Sequence, residues 1–174
     1  MSSRIDVDEI RSKTDNGNLT IQPNGTGLIV PKRPVAFSVE ASDTDQSIGN
    51  TSTKVEWETV VLDTGSYWDS TNHRYTPQVA GFYMFGGTIR FNVSSVMKYC
   101  NSSIFKNGTR EFQNQIQVQN DEINNGNILI PTCMVQLNGS TDYVEAFAQF
   151  DHTTTVHDSS TNKSVFFGVL IHAT

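Results

Sequence analysis

The stretch Lys54–Phe91 constrains the fold most tightly. It opens with a strand-like alternation: Val55, Trp57, Thr59 and Val61 on one side, Glu56, Glu58, Val60 and Leu62 on the other. A polar crossing with Thr64-Gly65-Ser66 and Asp69-Ser70-Thr71-Asn72 follows, then Arg74-Tyr75-Thr76-Pro77. After Gly81 a second run begins, Phe82-Tyr83-Met84-Phe85, apolar at every position. Neither run has the 3.6-residue period of a helix, so a strand–loop–strand unit is expected here.

The rest of the chain repeats the pattern. Val35–Ala41 alternates with Val35, Phe37, Val39 and Ala41 on one side. Further strands are expected at Met97–Lys106, Glu111–Gln119, Ile128–Leu137, Asp142–Phe150 and Ser164–His172, with Asn107-Gly108 and Asn138-Gly139 as turns. The one helical candidate, Val7–Lys13, is too short to be stable alone. A chain of about eight to ten antiparallel strands with polar loops reads as all-β: a two-sheet jelly-roll sandwich, or a barrel. Residues 34–174 form this domain. Residues 1–33 are read as an N-terminal tether or trimerising segment, extended, with Leu19-Thr20-Ile21 and Leu28-Ile29-Val30 flanking the Asn24-Gly25 turn.

Composition narrows the function classes. Charged residues are 17% of the chain and the net charge is −6, with no basic cluster beyond Lys32-Arg33. Nucleic-acid binding needs a basic footprint, so none is expected. No apolar run is long enough to span a bilayer as a helix, and MSSRIDVDEI lacks the apolar core of a signal peptide. The polarity comes from Asn, Ser, Thr and Gln, which suits an external, uncharged surface such as that of an adhesin or virion. Cys100 and Cys133 lie in candidate strands and read as small buried hydrophobes, with a single disulfide as the alternative.

Catalytic patterns are missing from the sequence. There is no Gly-x-Ser-x-Gly elbow, phosphate-binding Gly-rich loop or paired-Cys zinc pattern, so neither an enzyme nor a cofactor is expected. His73, His152, His157 and His172 lack metal-ligand spacing. Asp151, His152, His157 and Asp158 share a loop and are read as solvated polar residues, as are Asp121 and Glu122. No metal site is assigned. Recognition, if the domain performs it, is expected in the loops Ser42–Thr53, Asn120–Asn127 and Asp151–Lys163.

Several strands are apolar on both faces. Phe82 and Met84 oppose Tyr83, Phe85, Ile89 and Phe91. Phe166 and Leu170 oppose Val165, Phe167, Val169 and Ile171. Tyr143 and Phe147 oppose Val144, Ala146, Ala148 and Phe150. A two-layer sandwich covers one face of each sheet, so the second apolar face calls for another subunit. The expected subunit interface comprises Phe82, Met84, Phe166, Leu170 and Phe147.

Two resemblances add to this reading. NLTIQPNGTGLIVP resembles the short β-turn repeats that precede terminal domains in bacteriophage fibre and other virion proteins. The domain from Pro34 to Ala173 resembles the globular head of complement component one-q, in the tumour-necrosis-factor-like jelly-roll superfamily. The matching pieces come in order: Val35–Val39, Tyr67-Trp68-Asp69, Arg74–Pro77, Gly81–Phe85, Phe105–Gly108, Asn138–Val144 and Val165–Ile171. That family's collagen-type stalk is not matched; residues 1–33 stand before the domain instead. The resemblance implies a homotrimer. Taken together, the expectation is a trimeric structural protein of a virus particle, a phage fibre, spike or head fibre. It would bind other virion proteins through residues 1–33 and attach to a host-surface glycan or protein. The alternatives are a capsid decoration protein with a stabilising role, and a secreted, extracellular complement-like recognition protein.

Overall fold

The computed structural model describes residues 34–41, 45–92, 97–117, 126–156 and 162–174. The chain divides into Met1–Lys32 and Arg33–Thr174, and every described residue belongs to the second unit. The helical candidate Val7–Lys13, the turn pair around Asn24-Gly25 and the tether as a whole lie outside the described residues.

The described residues form strands β1 (Ala36–Ala41), β2 (Gln46–Ile48), β3 (Thr53–Lys54), β4 (Trp57–Asp63), β5 (Trp68–Asp69), β6 (Arg74–Tyr75), β7 (Ala80–Asn92), β8 (Tyr99–Lys106), β9 (Thr109–Gln117), β10 (Gly126–Asn138), β11 (Val144–Phe150), β12 (Thr154–Val156) and β13 (Val165–Ala173). Every pairing is antiparallel. The larger sheet runs β2-β12-β7-β13-β1-β4, with β10 on the other edge of β7. The smaller runs β5-β6-β11-β8-β9, with β3 beside β11. This is the all-β two-sheet jelly roll that the alternation predicts. The short strands β2, β3, β5, β6 and β12 lie in stretches read as polar loop, strand end or turn; three residues carry too little periodicity to register.

Aromatic rings hold the two sheets together. Phe37 of the larger sheet stacks on Tyr75 of the smaller at 4.2 Å, and Phe166 meets Phe37 edge-on at 5.1 Å. Phe166 also lies 5.8 Å from Trp57 and 6.1 Å from Phe85. Gly168 lets the rings close: a Cβ there would stand 2.6 Å from ring atoms of both Phe37 and Phe85. Its neighbours are packed rings with little room to retreat.

Turns and bulges follow local chemistry. Asn107 and Gly108 both have positive φ, 51° and 77°, and close the β8–β9 hairpin. The β7–β10 register slips between Ile130 and Cys133, around Pro131, which has no N–H to give to the ladder. Cys100 and Cys133 are both free and buried, and burial pushes each thiol up to about 11.

Candidate functional site

The larger sheet presents an apolar outer face, and antiparallel register decides which residues share it. Across the sheet, Met134 lies opposite Met84, Met84 opposite Val169, and Val169 opposite Ala36. A neighbouring row joins Leu62, Ser38 and Phe167. A third joins Gln136, Phe82 and His172. Leu129 sits opposite Thr88. Residues facing each other across an antiparallel pair lie on one face, so these rows make a continuous surface. Among its apolar members Met134 is 60% and Leu129 65% exposed, while Ala36, Met84 and Val169 are half-buried.

This arrangement corrects the interface expected from sequence. Phe82 and Met84 do lie on the outer face, but Phe166 is wholly buried among Phe37, Trp57 and Phe85. Leu170 also points inward and packs against the core. Up to the bulge after Leu170, the even-numbered residues of β7 share a face with the odd-numbered residues of β13, because Met84 pairs with Val169. Phe167 and Val169 therefore take the places assigned to Phe166 and Leu170. Phe147 belongs to the other sheet, where it stacks on Phe105 at 4.0 Å and neighbours Lys54. It cannot share a surface with Phe82, since the whole core lies between the two outer faces.

Sequence reasoning also missed Leu129 and Met134. Their signal was present: both interrupt the inward series Ile128, Ile130, Cys133, Val135 and Leu137 with an apolar residue on the opposite side.

A second apolar area lies at the open edge between β9 and β10. Phe112 and Ile116 pair with Ile104 and Cys100, whose side chains are buried, so they face the space between the sheets. Both remain substantially exposed because β9 is the last strand of its sheet. The Asn114 amide nitrogen donates across this edge to the Leu129 carbonyl at 3.0 Å. At the far edge of the larger sheet, β4 leaves Val60, Val61 and Leu62 exposed. There the alternation expected for Val55–Leu62 breaks, because bulges shift the β1–β4 register twice.

Among the described residues the polar candidates are scattered. His73 Nδ1 lies 3.2 Å from the Trp57 backbone nitrogen, and His152 Nδ1 lies 3.1 Å from Asp151 Oδ1. Burial works to raise the Asp151 carboxyl, but His152 and the Lys98 N–H prevail and hold it below its ordinary value. His157 and Asp158 lie outside the described residues. Among the described residues, no three His, Cys, Asp or Glu side chains gather as a metal site would require. Of the three candidate recognition loops, residues 42–44, 120–125 and 157–161 are likewise outside. The described parts hold strands β2 and β12, which pair with each other.

No protein-family model and no curated protein matches the sequence. The fold is similar to solved structures. One is the Eiger tumour necrosis factor of S. frugiperda, with TM-score 0.62 and 13% identity over 82% of this chain and 96% of that one. Murine APRIL, at pH 5.0, matches with TM-score 0.58 and 13% identity over 78% of this chain and 98% of that one. The domain is thus a tumour-necrosis-factor-like jelly roll.

Proposed function

We propose that the chain is one subunit of a homotrimeric display protein of a virus particle, a bacteriophage fibre, spike or head fibre. Its jelly-roll domain binds the host surface, and residues 1–33 tether it to other virion proteins. The observation that carries the assembly is the apolar outer face of the larger sheet, centred on Met84, Met134, Phe167 and Val169. A continuous face of this kind is covered in stable proteins. The open edge with Phe112 and Ile116 supplies a different apolar surface. Two unlike surfaces favour head-to-tail packing, which makes a ring when the rotation closes. Three linked heads also raise weak contacts to useful avidity.

The virion setting rests on the sequence: the resemblance of NLTIQPNGTGLIVP to the β-turn repeats of virion fibres, and a polarity that comes mostly from Asn, Ser, Thr and Gln. A binding role, rather than a catalytic one, is favoured by the scatter of the polar groups among the described residues.

Light scattering at micromolar concentration tests the assembly. The expected mass is three times that of the chain, and Met84→Lys with Val169→Lys should reduce it to a monomer that still folds. A monomeric wild-type protein removes the proposal. Immunogold labelling of particles tests the setting: label on fibres or shell is expected, and unlabelled particles refute it.

A further inference from the structure

A polar cavity of about 270 Å3 opens at one end of the sandwich. It lies where β8, β10 and the turn before β11 meet the start of β7. Ala80 gives it apolar lining, the Leu137 side chain being buried in the core, and Lys106, Gln136, Asn138, Asp142 and Thr174 give it polar lining.

The polar groups are held firmly. Asp142 accepts from Asn107 Nδ2 at 2.7 Å and from the Asn138 N–H at 3.1 Å, and pairs with Lys106 Nζ at 3.0 Å. Asn138 Oδ1 accepts the N–H groups of Ser140, Thr141 and Asp142, which locks the turn. Lys106 Nζ also donates to the Gln136 carbonyl at 2.8 Å. An ammonium has three N–H donors, and these two partners leave one for a ligand. The exposed Gln136 side chain adds an amide donor and acceptor at the rim.

Charge and size select the ligand class. The Lys106 ammonium is matched by the Asp142 carboxylate at contact distance, so this pair offers no surplus charge to an anion or a cation. Donors and acceptors stand together over a small apolar patch. The volume falls just below the roughly 300–1,000 Å3 of pockets for drug-sized ligands. We propose that this cavity is a subsite for one neutral sugar ring. Lys106 and Gln136 bond its hydroxyls, and Ala80 lies under its C–H face. The proposal rests on the host-attachment reading and names the chemistry that would be recognised. Gln136 pairs in register with Phe82, so a neighbouring subunit would border the cavity.

The test uses the full chain in its native assembly. Saturation-transfer difference spectra are recorded with glucose, galactose, mannose and N-acetylglucosamine, and with glucuronate and glucose 6-phosphate as anionic counterparts. At least one neutral sugar should receive saturation and bind more tightly than the anionic ones. Gln136→Ala should weaken that sugar about tenfold, the loss of one good hydrogen bond. Lys106→Ala should abolish the signal. Gln136 is exposed in the single subunit, so its variant should keep the wild-type melting of the monomeric domain, and it decides alone if Lys106→Ala unfolds. The proposal is overturned if no neutral sugar binds, if the anionic sugars bind better, or if Gln136→Ala leaves affinity unchanged. Sugar binding by a chain that fails to adhere to host cells keeps the subsite and removes attachment. Adherence without any sugar signal does the reverse.

Discussion

Phe166 and Phe167 are adjacent and chemically identical, yet the fold sends one to the core and one to the outer face. Replacing each by Ala separates the two roles. Phe166 is fully buried and meets the rings of Phe37, Trp57, Trp68 and Phe85 at centroid distances of 5.1, 5.8, 6.3 and 6.1 Å. Truncating a buried Phe costs about 3–5 kcal/mol. With four aromatic partners on it the upper part of that range applies, about 4 kcal/mol. For a domain of this size that lowers the melting temperature by roughly 12 °C. Phe167 is 36% exposed, so in the isolated subunit the same change should cost about 1 kcal/mol or less. In the assembly Phe167→Ala should weaken subunit association. Urea denaturation and light scattering, with protein concentration held constant, read both effects. The reasoning fails if Phe166→Ala leaves the urea midpoint unchanged while lowering the mass, or if Phe167→Ala costs as much as Phe166→Ala at concentrations where both are monomeric.

Two further outcomes follow from the packing and the charges. Gly168→Ala drives a methyl into the Phe37 and Phe85 rings and should destabilise by about 1–3 kcal/mol; a wild-type urea midpoint would contradict the close approach. Burial works to raise the Asp142 carboxyl, but hydrogen bonds from Asn107, Lys106 and the Asn138 N–H prevail and hold it below its ordinary value of 3.8. The unfolded chain then binds the proton more readily, so this stabilisation is present above the ordinary value and is lost as pH falls through the lower folded one. Asp142→Asn should flatten that acid limb of a stability–pH curve, and an unchanged limb would show that the contacts contribute nothing.

Much of the domain was legible in the residues. Strand faces follow a period of two, so the inward set Phe37, Val39 and Ala41 of β1 could be read directly. The same holds for Tyr83, Phe85, Ile89 and Phe91 of β7. The Asn107-Gly108 turn is encoded by two residues that tolerate positive φ. The polar cavity was not legible, because Lys106, Gln136 and Asp142 come from three separate segments and meet only in the folded chain.

The sequence by itself determined that the chain is an antiparallel β domain and that some of its strands are apolar on both sides. Only the tertiary structure decided which sides join. A strand's alternation states which of its residues are neighbours on one face, but it carries no information on the strand beside it. Register supplies that information, and a slip of one residue exchanges the faces. Opposite Met84 stands Val169, so Phe167 and Val169 join Phe82 on the outer surface, and Phe166 goes to the core.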